Sequence, residues 1–298
     1  MPDKSKNNVY AVILVGGKGK RLRPLSTDER PKAFLSVTRD RKSMLARTVH
    51  RIAGLVPSSR IVVVANRMHA RLVRRDLPDI KKANLILEPV SRNTAPAIAL
   101  ASNVITKRDR DAVMVALPTD HYIDGESKQL DCLRKGIGLI SQKRSAIAVL
   151  GLKPMHPSTQ FGYIKLGRPV AGSRGIYSVE RFVEKPDLET AKKYMRSGRY
   201  LWNSGIFIFN AQQLMKTLEA CAPKISAMLG RGKMTERVYA KMPDVSFDYA
   251  VMEKAKEIYC VRGSYGWSDV GSFRALKSVL KRESRRFVEK NGKIIKII

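Results

Sequence analysis

Between positions 16 and 26 the chain reads Gly16-Gly17-Lys18-Gly19-Lys20-Arg21-Leu22-Arg23-Pro24-Leu25-Ser26, a set suited to holding phosphate. Gly16, Gly17 and Gly19 let successive backbone N–H groups close on an anion. Lys18, Lys20, Arg21 and Arg23 supply charge, arginine as a planar two-pronged donor. Two commoner phosphate loops are excluded. No Ser or Thr follows Lys18 or Lys20, as a Walker A loop requires. Leu22 stands where the dinucleotide fingerprint places its third glycine. An exposed basic turn would share the glycine and lysine content, but Arg21-Leu22-Arg23-Pro24-Leu25 and the later Pro31-Lys32 make the segment more specific.

Two aspartates suit a nucleotide's metal. Asp120 lies in Pro118-Thr119-Asp120-His121, and Asp269 in Gly266-Trp267-Ser268-Asp269-Val270-Gly271-Ser272. Magnesium takes one or two carboxylates and completes its shell with phosphates and water. Each aspartate fits a capping role equally well, Asp120 in its own turn and Asp269 before a helix near Ser272. Their distance in sequence does not say whether they meet. His121 reads as a hydrogen-bonding residue rather than a base.

Other segments suit a sugar or a base. In Glu184-Lys185-Pro186 a glutamate can accept sugar hydroxyls and a lysine can pair with phosphate. Asn203, inside Trp202-Asn203-Ser204-Gly205, needs partners, because a buried unpaired amide costs ~1–3 kcal/mol. A sugar or a neighbouring backbone would serve. Phe161-Gly162-Tyr163 sets an aromatic wall beside bare backbone, or packs a core. The loop from Glu88 through Asn93 and Thr94 to Pro96 enters a helix whose first N–H groups are free. It either reads a base and ribose or simply caps the helix.

The elements that must position these residues alternate in type. An apolar run over Val9–Val15 reads as a buried strand. Strands are expected at 61–65, 85–88, 112–117 and 146–150. Helices are expected at 43–54, capped by Ser43, at 68–76, at 94–106, capped by Asn93, and at 127–141, capped by Asp124. This βαβ rhythm predicts an α/β fold: a Rossmann-like mixed, mainly parallel sheet with helices on both faces. Ligands of such sheets bind at the carboxyl ends of strands, where the glycine loop, Glu88 and Asp120 all fall. The second half is more mixed. Strands are expected at 163–166 and 178–184, with another at 201–209 interrupted at 203–205. Helices are expected at 187–196, 211–220, 235–241 and 247–255. Strands at 286–288 and 293–297 flank Asn291-Gly292, a strong hairpin turn.

The 298 residues can bury a substantial core. No stretch approaches the ~20 apolar residues of a membrane span. The polar start, Met1 to Asn8, lacks a signal-peptide core, which predicts a cytoplasmic protein. Three separated cysteines offer no zinc spacing. The net charge of +31 predicts non-specific attraction to polyanions. No RNA-recognition or zinc-finger signature accompanies it, so a dedicated nucleic-acid partner is not expected.

Taken together, the segments GGKGKRLRPLS, PKAFL, EPVSRNTAPAIAL, LPTDHYI, FGYIKLG, FVEKPD, WNSGIFIF, SFDYAVMEK and WSDVGS resemble the mannose-1-phosphate guanylyltransferases of the sugar-nucleotide transferase superfamily, in family order. The resemblance implies synthesis of GDP-mannose and diphosphate from GTP and mannose 1-phosphate with Mg2+. It implies that Arg21 contacts the triphosphate, Lys32 neutralises phosphate charge and Asp120 and Asp269 hold the metal. Gly16, Gly17, Gly19, Glu88, Asn93 and Thr94 would line the nucleotide, Gly162, Glu184 and Asn203 the mannose, and Lys185 the sugar phosphate. It implies a nucleotidyltransferase domain over 1–280, then a short hairpin or the start of a truncated extension over 281–298. The isomerase domain of bifunctional bacterial relatives is not in this sequence, and of the C-terminal β-helix of others only a start at 288–298 is expected. A homodimer is one admissible assembly. A relative with another base or sugar, or a non-enzymatic polyanion binder on this fold, are the alternatives. The family does not explain the charge.

Overall fold

In a computed structural model, residues 8–17, 19–230, 234–290 and 293–297 are described. Lys18 and the Asn291-Gly292 turn lie outside them. The first half runs β1 (Val9–Val15), α1 (Met44–Ile52), β2 (Ile61–Asn66), α2 (Ala70–Asp76), β3 (Leu85–Glu88), α3 (Thr94–Thr106), β4 (Val113–Pro118), β5 (Tyr122–Asp124), α4 (Glu126–Gln142) and β6 (Ile147–Leu152). The second half runs β7 (Tyr163–Pro169), β8 (Ile176–Val183), α5 (Leu188–Ser197), β9 (Tyr200–Asn210), α6 (Ala211–Cys221), α7 (Pro223–Gly230) and α8 (Glu236–Tyr239). A π-helical turn (Asp248–Met252) follows, then β10 (Ile258–Gly263), β11 (Gly266–Ser268), α9 (Phe273–Arg282), β12 (Phe287–Lys290) and β13 (Lys293–Lys296).

The main sheet has the order β3-β2-β1-β4-β9-β6-β10-β8-β7. From β3 to β4 every pairing is parallel, as the βαβ rhythm predicts. Then β9 enters antiparallel between β4 and β6, and β7 and β8 pair antiparallel beyond them. The fold is thus a Rossmann-like mixed sheet with helices on both faces. β1 shows why its sequence looks uniformly apolar. Tyr10, Val12 and Leu14 face one core with α3, α6 and α7, while Val9, Ala11, Ile13 and Val15 face another with α1, α2 and α4. Both faces are buried, so no polar alternation survives.

A third core joins Leu22 and Leu25 of the glycine loop to Leu35, to Leu276, Val279 and Leu280 of α9, and to Val288 of the terminal hairpin. It seats the loop against the last helix of the chain.

Several local expectations are corrected. The interruption expected at 203–205 is a bulge and not a gap: β9 spans Tyr200–Asn210, but its register against β6 shifts between Val149 and Gly151, Gly205 takes φ 69, and Asn203 and Ser204 stay within the strand. Their side chains are satisfied within the fold: Ser204 Oγ donates to the Leu150 carbonyl (2.8 Å) and Asn203 Oδ1 accepts from the Gly205 N–H (2.8 Å). Asp124 belongs to β5 instead of capping α4, whose N-cap is Gly125 in left-handed backbone (φ 91). The helix expected over 247–255 is a π turn of five residues. Among the described residues, no helix is long and apolar enough to cross a membrane.

Candidate active site

Parallel pairing brings the carboxyl ends of β1 and β4 together, with Leu14 opposite Pro118. The glycine loop and Asp120 therefore leave the sheet side by side. Thr119 fastens the junction, its backbone N–H and hydroxyl both donating to the Leu14 carbonyl (3.3 and 3.0 Å). After Gly19 the loop coils into a short 3-10 turn over Lys20–Leu22. Gly19 holds φ 57, and a Cβ there would lie 3.2 Å from the Lys32 Cβ, so only glycine fits without displacement. Lys32 stands at the start of a second 3-10 turn, Lys32–Phe34.

Lys32 is the centre of the charged side of the site. It is only 6% exposed. Its Nζ donates to Asp120 Oδ2 (2.8 Å) and to the backbone carbonyl of Asp269. The two aspartate loops, far apart in sequence, thus meet over one ammonium group. Burial would raise the Asp120 carboxyl, but the Lys32 charge overrides it and holds the group below its ordinary value, as a carboxylate. The Asp269 side chain takes the Gly271 N–H on Oδ1 (3.1 Å) and turns Oδ2 toward Arg21 Nη2 at 4.0 Å. Arg21 is exposed and also donates to Gln160 Oε1 (2.8 Å).

A two-stranded ribbon fixes this arrangement. β5 follows Asp120 and pairs antiparallel with β11, which precedes Asp269. Across it Trp267 Nε1–H donates to His121 Nδ1 (3.2 Å). The imidazole proton is then on Nε2. Burial lowers the His121 pKa to about 4, so the ring is neutral near pH 7.

The opposite side is less charged. Glu88, at the end of β3, is 6% exposed and accepts a short hydrogen bond from the Tyr239 hydroxyl. Burial without a cation partner pushes its pKa up to about 7. Asn93, in left-handed backbone (φ 64), caps α3 by accepting the Thr94 N–H (3.0 Å). Thr94 Oγ1 accepts the Phe247 N–H (2.8 Å), and the Ala95 N–H donates to the Val245 carbonyl (3.2 Å). A cavity of about 320 Å³ lies between the two sides, bordered by Gly16, Gly17, Glu88, Asn93, Thr94 and Asp120 and also by Gly205 and Asp248. That volume is at the lower end of the ~300–1,000 Å³ usual for small-molecule sites.

The remaining candidates form two further groups. Gly162, Glu184 and Asn203 converge: a Cβ on Gly162 would sit 2.6 Å from Glu184 Oε2 and 3.4 Å from Asn203 Cβ. The Lys185 ammonium donates to Glu184 Oε1, and Asn203 Nδ2 donates to Asp248 Oδ1 (2.7 Å), which ties this group to the main cavity. Arg21 and Asp269 instead border a second cavity of about 220 Å³ walled by Phe161, Trp202 and Trp267. Sequence reasoning passed over Asp248. Its signal is an acid between two aromatic residues in an apolar stretch, which demands a partner. Burial, then the nearby Glu184 charge, pushes Asp248 up to about 7. Trp267 as the partner of His121 was equally hidden.

A glycine loop and two aspartate loops thus meet at the carboxyl edge of a mixed α/β sheet, and residues 10–285 match the nucleotidyl transferase family. The chain belongs to that family. It is 38% identical over 288 residues to a mannose-1-phosphate guanylyltransferase of Escherichia coli, covering 92% of this chain and 60% of that protein. It is 36% identical over 294 residues to mannose-1-phosphate guanylyltransferase RfbM of Salmonella typhimurium, covering 94% and 60%. The chain thus spans about 60% of the length of these curated relatives. A crystal structure from Thermus thermophilus, described as a mannose-1-phosphate geranyltransferase, superposes with a TM-score of 0.83 at 36% identity, over 91% of this chain and 79% of that one.

Proposed function

We propose that this chain transfers a guanylyl group from GTP to mannose 1-phosphate, giving GDP-mannose and diphosphate. One observation carries the reading: Lys32 gathers the Asp120 carboxylate and the Asp269 loop beside the glycine loop. The names of the relatives supply the substrates. An oxygen of the sugar phosphate attacks the α-phosphorus of GTP in line. A new P–O bond forms, the α–β bridging bond breaks, and diphosphate leaves with its electron pair. The attacking oxygen is already ionised near pH 7, so no general base is needed. The neutral His121 fits that absence. The barrier is repulsion between anions, and catalysis is positioning plus charge neutralisation.

Asp120 and Asp269 suit Mg2+, which needs one or two carboxylates and leaves its other positions to phosphates and water. Asp120 is held ionised beside Gly17, whose Cβ position is 3.5 Å from its Oδ2. Bound there, Mg2+ would offset charge building on the reacting phosphates. Arg21, exposed beside Asp269 on the second cavity, reaches the triphosphate. Buried Lys32 orients Asp120 and offsets its charge, so that two anions meet a site that is not itself net negative. Lys185 meets the incoming sugar phosphate.

The test is diphosphate release from each nucleoside triphosphate with mannose 1-phosphate or glucose 1-phosphate. GTP with mannose 1-phosphate should be fastest. A clear preference for another pair would replace the substrate assignment, and no release from any pair would overturn the reading.

A further inference from the structure

We infer that Asp248 is the residue that takes a sugar hydroxyl, and that Asn203 and Thr94 act through it as positioning residues. The inference rests on the proposed function and reassigns work within that site. The Asn203 amide is committed on both ends. Its oxygen accepts the Gly205 N–H (2.8 Å) and its nitrogen donates to Asp248 Oδ1 (2.7 Å). One amide hydrogen remains, and the acceptor oxygen already holds a short-range bond within β9. These two bonds fix the amide's orientation and aim its donor at Asp248.

Asp248 is held equally firmly from the nucleotide side. Thr94 Oγ1 accepts the N–H of the preceding residue, Phe247 (2.8 Å), and the Ala95 N–H takes the Val245 carbonyl (3.2 Å). The start of α3 therefore pins the segment that carries Asp248. The residue opens a π turn, a local widening that recurs at functional sites. Its side chain lines the main cavity beside Gly205 and Phe207, with one oxygen spent on Asn203. Next to it, Glu184 has Oε1 bonded to Lys185 and Oε2 against Gly162. The group that remains toward the cavity is a carboxyl oxygen. A carboxyl group selects ligands rich in hydroxyls, which donate to it. It stands between the start of α3 and the Gly162–Glu184–Asn203 group, which the proposed function assigns to nucleotide and sugar.

A double-mutant cycle in the full chain tests this. Asp248→Ala should raise KM for mannose 1-phosphate ~10–100-fold, the scale for losing a hydrogen bond to a charged group, and leave KM for GTP within about twofold. Asn203→Ala should raise the same KM less. The double variant should match Asp248→Ala, because Asn203 works through Asp248. Asp248→Asn, which keeps the shape, guards against misfolding and should give the same split. One monodeoxy mannose 1-phosphate should lose most activity with wild type, and Asp248→Ala should no longer distinguish it from mannose 1-phosphate. Additive single effects, or an Asp248→Asn variant with unaltered KM, would overturn the inference while wild-type turnover kept the proposed function standing. Absence of wild-type turnover with any sugar 1-phosphate would overturn both.

Discussion

Two carboxyl groups at the carboxyl ends of β3 and β4, parallel strands with β2 and β1 between them, have opposite fates. Asp120 follows β4 and lies 2.8 Å from a buried ammonium, so it is a carboxylate below its ordinary pKa. Glu88 ends β3 and, among the described residues, is met by the Tyr239 hydroxyl and by no cation, so burial carries it to about 7. The same sheet edge thus has a side built of fixed charge and a side built of neutral hydrogen bonds. Under the proposed function the charged side would hold the phosphates, and the neutral side would face the base without repelling the triphosphate attached to it.

Changes on the charged side should cost most. Asp120→Asn leaves Lys32 beside a neutral amide and should lower kcat/KM ~10³-fold, the upper range for losing one preorganised electrostatic contact. Diphosphate release across a magnesium titration checks it, and full turnover at ordinary magnesium would remove Asp120 from the centre. Arg21→Ala should lower kcat ~10²-fold. Arg21 is exposed, so the melting temperature should hold, and a loss under about threefold would make it surface charge only. On the neutral side Thr94→Val strands the Phe247 N–H and should destabilise the fold by ~1–3 kcal/mol, read by urea unfolding.

Glu88→Gln separates the two sides by pH. Folded, Glu88 keeps its proton to about pH 7, whereas an unperturbed glutamate loses it near 4.5. The folded state therefore binds more protons between those values, and stability from this group is complete below about pH 4.5 and lost as pH rises to about 7. Asp248 acts in the same window. Glu88→Gln should make the fall in melting temperature between about pH 5 and pH 8 shallower and should stabilise the protein at pH 8 by up to ~3 kcal/mol. An unchanged slope would mean that Glu88 is ionised in the folded state. The smallest effect is expected from Trp267→Phe, which removes the hydrogen bond to His121 and should cost ~1 kcal/mol.

The parallel half was legible because its signals are local. Val9–Val15 is apolar throughout, and Ser43 and Asn93 cap α1 and α3 where the sequence places them. The two faces of the mixed half were less legible. β5 and β11 have three residues each, too few for any periodicity, and they exist because they pair with each other. β9 carries Asn203-Ser204-Gly205, where the interruption read in the sequence is a bulge stitched by side-chain hydrogen bonds. Within the site, chemistry was visible wherever a loop followed a strand. Asp248 was hidden because its setting, a π turn fixed by Thr94, has no sequence period.

The β5–β11 ribbon also sets a timetable. A growing polypeptide can complete β1 and β4 soon after residue 118 emerges, but the partner of β5 is made only when synthesis has passed Ser268. Until then Asp120 has no companion loop, so nascent chains and early-terminated products should be inert however well their first half has folded. Under the proposed function the site is completed only late in synthesis, once β11 has followed β5 out of the ribosome.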